Sequence, residues 1–235
     1  MRQQQSPIGG YQDSAACLAR RVLGCLRGVE SPPVLAAHVG EAPEPAVALA
    51  AVRILGPDAL APALLGGGPL HPDDAEVVEQ ALAASVSPAD VSGAPGTGAW
   101  LLAWHDWALA RGADRLPAAG AVVMPRVPQD QEDAGWGRWS GLMGQLAALA
   151  LPGLTSAVHE AARDVPLVLS RGAVRAVLRQ DYATAARITR WLAWLHTCGV
   201  DVPLDLKPLV DHVGLMGVGD RLALDTAIAR LLIAP

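Results

Sequence analysis

Two stretches of this sequence hold side chains in spacings that could do chemistry. The first, 98-GAWLLAWHDWALARG-112, sets Trp100, Trp104 and Trp107 within eight residues of a chain that has no Phe. At 100° per residue the three indoles and Arg111 share a sector of roughly 60° on one helix face, with Leu102 and Leu109 opposite. His105 and Asp106 flank that second face. One reading makes the indoles the bulky core filler in place of Phe. The other makes them the wall of a pocket for a flat or apolar ligand, with His105 or Asp106 as acid, base or anchor. Three indoles would also suit a protein contact, where Trp concentrates binding energy. Trp136 and Trp139 repeat the theme in 135-GWGRWSG-141, with Arg138 between them, and join Trp100, Trp104, Trp107 and Arg111 as candidate ligand-binding residues.

The second stretch is 170-SRGAVRAVLRQDYATAARITRWLAWLHTCG-199. Ser170 suits a helix cap, and Arg171, Arg175 and Arg179 then recur every four residues along one edge. Farther on, Ala185, Ile188, Trp191, Leu192 and Leu195 form an apolar face, while Arg187, Arg190 and Trp194 share the other, where an indole can stack on guanidinium groups. Between 163 and 190 six Arg face two Asp, in a chain whose formal charge is −5. Such an edge is either a solvated surface or a dock for an anionic partner: an acidic protein surface, a leader peptide or a phosphate.

Other motifs fail on their own residues. His159-Glu160 opens like a zinc-protease helix, but Arg163 stands where the second histidine belongs. The six histidines include no pair at i, i+3 or i, i+4, so neither a metal nor a cofactor is expected. The run 93-GAPGTG-98 has no lysine after it and no strand before it, which excludes a phosphate-binding P-loop. No G-x-S-x-G elbow occurs. Asp73-Asp74-Ala75-Glu76 resembles the acidic cluster of terpene cyclases over four residues only, and that family's second metal motif uses Asn, which this chain lacks. The same acids favour the first turn of a helix through its dipole.

The elements that must position these residues read as helices throughout. Apolar stripes of period 3.6, closed by Pro and Gly, predict helices over about 14–28, 32–40, 45–55, 58–65, 71–85, 98–112, 137–151, 153–163, 171–180, 181–198, 205–216 and 219–233. A short strand at 121–125 has no partner. The expected fold is all-α: a single globular domain of about ten to twelve short helices over 13–235, behind a flexible tail at 1–12. Within it a block at 13–86 is hinged by the link 87–98 to a main block at 99–235, which carries a long loop at 113–137. Trp139 to Val158 holds 20 uncharged residues, but Pro152-Gly153 divides them, which predicts two buried helices meeting at a turn and no membrane span.

Composition sets the context. The 235 residues include one Lys against 17 Arg and no Asn or Phe, the signature of a GC-rich bacterial coding sequence. The net charge of −5 argues against nucleic acid as a partner. Cys17, Cys25 and Cys198 are odd in number and lack C-x-x-C spacing, as in a reducing cytoplasm. Two expectations of function follow. The first is a soluble accessory or interaction subunit, in a specialised-metabolite pathway, docking a partner enzyme or peptide through Arg171, Arg175, Arg179, Arg187, Arg190 and Trp194. The alternative is a small tailoring enzyme or binding protein whose tryptophan-lined pocket holds an apolar or aromatic metabolite.

Overall fold

Proline and glycine cut the chain into short helices, and the helices then assemble around a few that have no polar face left. The computed structural model describes residues 7–84, 96–114, 122–126 and 135–234. The fold is all-α. The helices are α1 (Pro7–Leu26), α2 (Val34–Glu41), α3 (Pro45–Leu55), α4 (Ala61–Gly66), α5 (Pro72–Ala83), α6 (Gly98–Gly112), α7 (Trp136–Gln145), α8 (Ala157–Asp164), α9 (Pro166–Leu178), α10 (Tyr182–Thr197), α11 (Leu206–Met216) and α12 (Asp220–Ile233). Two 3-10 turns, Gly56–Leu60 and Ala147–Leu149, complete the order, and there is no strand among the described residues. Residues 122–126 form no regular secondary structure, and position 121 lies outside the described residues.

Side chains explain many of the helix starts. Thr97 accepts from the Trp100 amide at the head of α6, and Asp181 from the Thr184 amide at the head of α10. Proline occupies the first helical position of α3, α5 and α9. α9 therefore begins at Pro166, and Ser170, expected as a cap, lies inside the helix with its hydroxyl donating to the Pro166 carbonyl at 2.9 Å. α1 begins at Pro7 and not near Ser14, so helix covers half of the expected tail. Asp74, in the acidic cluster, accepts from the amides of Val34, Leu35 and Ala36 at 2.8–3.0 Å, so a carboxylate of α5 caps α2.

One apolar core runs from Leu18 in α1 to Leu232 in α12. α1, α2, α3 and α5 pack together on one side; α7, α9, α10, α11 and α12 pack on the other. α1 against α12, and the Gly56–Leu60 turn against the Ala147–Leu149 turn, join the two sides. Most of the link 87–98 and of the loop 113–137 lies outside the described residues. The uncharged run behaves as its composition requires: Leu146 to Leu151 are buried, and Gly153, at φ +81°, turns the chain toward α8.

The stretch Pro45–Gly66 is long and apolar enough to cross a membrane, with a mean hydropathy of 1.5. Gly56 and Pro57 break it into α3, a 3-10 turn and α4, and 56% of its apolar window is buried inside the protein. At its centre Asp58 is fully buried and ion-paired to Arg190 and Arg221. Asp225, 1% exposed, accepts from Arg190 at 3.1 Å and stands 3.4 Å from Arg221 Nε. Two arginines and two aspartates thus alternate in a closed ring. Arg190 spends its remaining donors on the carbonyls of Ala148, at 3.1 Å, and Ala150, at 3.3 Å. Burial pushes the Asp58 carboxyl up, but the two guanidinium groups outweigh it and hold it below its ordinary value.

Candidate functional site: an arginine and tryptophan cleft

The tryptophan helix is core. Trp100, Trp104 and Trp107 are 3%, 0% and 7% exposed and meet edge to face, with centroids 6.2 and 5.6 Å apart. None of the three lines any of the three main cavities of the described residues. The pocket reading of these indoles is corrected accordingly: α6 is apolar on two faces, so neighbours cover both. Trp100 donates through its indole to the Arg126 carbonyl at 3.2 Å. Trp139 is also buried, at 4%. Arg111 is exposed at the end of α6 and lies on none of these cavities.

The polar neighbours of these indoles have structural partners. Asp106 takes both forks of the Arg53 guanidinium, at 2.8 and 2.6 Å. The His105 ring donates through Nδ1 to the Arg53 carbonyl at 3.2 Å and lies flat against Gly56. A Cβ on that glycine would sit 2.6 Å from the ring, and its φ of +67° suits glycine as well. Burial, aided by Arg221, lowers the His105 pKa, so the ring is held neutral. Both candidate acid–base residues thus tie α6 to α3.

The arginine edge divides. Arg171, Arg175 and Arg179 are exposed on α9, and Arg187 is half-buried on α10. Arg190 and Trp194, expected on the same docking face, are 0% and 4% exposed. The reason is the position of α10, which α7, α8, α9, α11 and α12 surround, so that ten of its residues are buried and it has no polar face to offer. The guanidinium over Trp194 is that of Arg163, 4.9 Å from the ring centroid.

What the fold does bring together is the exposed part of both stretches. α7 and α9 approach closely because Gly172 faces Ser140: a Cβ at 172 would stand 2.4 Å from the serine Cβ. This contact opens a cleft of about 420 Å³ between α7, α9 and the start of α10. Trp136 and Arg138 line it from one side, Arg175 and Arg179 from the other, with Asp181 and Thr184 at the α10 end. Trp136 is 41% exposed, alone among the seven tryptophans in being open to solvent. The Arg175 guanidinium lies 5.2 Å from the Trp136 ring centroid and rests against Gly137, where a Cβ would come within 2.5 Å of Nη1. Among the described residues none of Arg138, Arg171, Arg175 and Arg179 forms an ion pair. The Asp181 carboxylate is occupied by the Thr184 amide at 3.1 Å.

Such a cleft can receive an anion by charge-assisted hydrogen bonds and an apolar group on the open side of Trp136. Arg138, Thr184 and the glycines at 137 and 172 were not singled out as site residues by spacing alone. The glycine-rich 135-GWGRWSG-141 was a sequence signal for Gly137 and Arg138, and nothing marked Gly172 or Thr184. No group of three or more metal-ligating side chains gathers among the described residues. No protein-family model matches the chain, and neither a curated protein nor a solved structure does.

Proposed function

We propose that the protein is an interaction subunit that docks an anionic segment of a partner polypeptide in the cleft between α7, α9 and α10. One observation carries the reading: Arg138, Arg175 and Arg179, from two helices far apart in sequence, converge without carboxylate partners beside the exposed Trp136. Other exposed cations divide evenly: Arg20 pairs with Asp220, and Lys207 and Arg230 with Asp211, while Arg27, Arg111 and Arg126 form no ion pair among the described residues and line none of the three cavities. Leaving guanidinium groups unpaired around a concavity costs nothing while water fills it, and an arriving acid supplies the missing charge. The cytoplasm is the proposed compartment, supported by three free cysteines, and a specialised-metabolite pathway is the proposed setting.

The test is a titration of the protein with an octaglutamate peptide at low salt, followed by tryptophan emission. Trp136 is the reporter, since the other six indoles are buried. The expected result is saturable binding that weakens as salt is raised and falls about tenfold or more in Arg175→Glu/Arg179→Glu, with an unchanged circular dichroism spectrum. Arg171→Glu, a reversal outside the cleft, leaves binding largely intact. Equal binding by the double reversal and the wild type would refute the docking surface.

A further inference from the structure

We infer that the anion this cleft recognises is a phosphomonoester carried on the partner's chain, a phosphoserine or phosphothreonine; the inference rests on the docking reading above. Charge is the first support. The lining holds three guanidinium groups and one carboxylate, an excess of two positive charges. A phosphorylated side chain carries −1.5 to −2 near neutral pH and balances that excess, whereas a single Asp or Glu leaves half of it unmet.

Geometry is the second. Arg175, in the last turn of α9, and Arg179, the residue that closes that helix, stand one turn apart, a spacing that sets Cβ atoms about 5–6 Å from each other on one face. Planar guanidinium forks at that separation suit a tetrahedral oxyanion, which offers oxygens in more than one plane. Arg175 is already held in place by the Trp136 ring on one side and the bare Gly137 backbone on another. Less of its rotamer freedom is then lost when an anion arrives.

Size is the third. The cleft's volume of about 420 Å³ is more than tenfold the ~30 Å³ that one water occupies in the liquid. A bare oxyanion would leave most of it empty. A phosphoresidue with its neighbours in the chain would fill it, and the open part of Trp136 gives an apolar neighbour a place to lie. Asp181 sits at the α10 end, where it repels a second anion placed too far along the cleft.

The experiment uses the full chain and fluorescein-labelled nonapeptides read by anisotropy. One carries a central phosphoserine between alanines and glycines; three others replace it with serine, with glutamate, or with two adjacent glutamates. Inorganic phosphate serves as competitor. The expected order is phosphoserine at least about tenfold tighter than either glutamate peptide, with no binding of the serine peptide. Phosphopeptide binding weakens as pH falls through about 6, where the phosphate loses its second charge. Arg175→Ala and Arg179→Ala each weaken the phosphopeptide and hardly change thermal unfolding, since both side chains are exposed.

If the diglutamate peptide binds as tightly as the phosphopeptide, phosphate recognition is overturned while the docking reading stands. If wild-type protein binds neither phosphopeptide nor glutamate peptides, both fall together. If inorganic phosphate displaces the phosphopeptide at concentrations near the peptide's own Kd, the site is one for a free oxyanion and the peptide-borne phosphate is overturned.

Discussion

His159 shows how a residue that looks chemical in sequence becomes structural in three dimensions. Its Nε2 donates to the Leu149 carbonyl at 2.9 Å, its Nδ1 accepts from the Ser156 hydroxyl at 2.8 Å, and Trp191 and Trp194 lie edge-on at 5.4 and 4.9 Å. Both ring nitrogens are satisfied in the neutral tautomer that carries its proton on Nε2. Burial is the main force that lowers its pKa to about 4. The sign follows from linkage: between about 6.5 and 4 the unfolded chain binds a proton that the folded chain refuses, so stability falls as pH falls through that window. A lowering from 6.5 to about 4 corresponds to roughly 3 kcal/mol. His38 and His105, whose pKa values are also lowered chiefly by burial, add to the same slope. Urea unfolding is expected to show about 2 kcal/mol of this loss between pH 7 and pH 5, and the rest at lower pH. His159→Gln, which has no titration, is expected to be less stable at pH 7 and to show a shallower slope. An unchanged slope would mean that the ring takes its proton in the folded state. The sequence disclosed at this scale only that His159 begins no zinc motif, because a ring's partners ten residues away leave no mark on its own neighbours.

At the scale of the element, the helix starts and stops were largely legible. The patterns at 45–55 and 98–112 coincide with α3 and α6, because proline or a capping threonine opens them and glycine follows or ends them. The burial of α6 was legible as well, since large apolar groups on both faces leave no side for water. α10 was read as two-faced, and it is enclosed. A buried arginine and a surface arginine are the same letter, and nothing near position 190 announces Asp58 or Asp225. For the cleft, the four-residue rhythm of Arg175 and Arg179 and the glycines at 135–141 were both visible, but not that α9 lies against α7. That contact depends on Gly172. Gly172→Ala would bring a methyl against Ser140 and push α7 from α9, at a cost of about 1–3 kcal/mol. Thermal unfolding should show this loss, and Ser140→Gly in the same chain should recover part of it. Full stability in the single variant would mean that the helices separate freely, and that the cleft is not fixed by this contact.

For the molecule as a whole, the ring of Asp58, Arg190, Asp225 and Arg221 fastens the first half to the second. Removing one member strands its opposite charges away from water, which costs about 3–5 kcal/mol for a buried pair. Arg190→Met is expected to lose at least that much, since two carboxylates and two carbonyls lose their donor. Asp58→Asn/Asp225→Asn in the same chain should return part of the loss by removing the stranded charges. Equal stability of Arg190→Met and wild type in denaturant would show that water reaches the ring. Asp58 is the ring's one member from the first half, and it meets Arg190 and Arg221 where the halves join.

The same ring bears on how the chain is made. Asp58 leaves the ribosome 132 residues ahead of Arg190, a delay of roughly 7–26 s at about 5–20 residues per second. For that interval the carboxylate destined for the interior has no cation to meet, and α1 has no α12 to lie against. The emerging half can pack α1, α2, α3 and α5 together, but the side of α1 that meets α12 stays uncovered until α12 has been made. Chaperones that shield apolar surface would find that side of α1 a long-lived target, and the first half should reach its full protease resistance only once α12 has joined it.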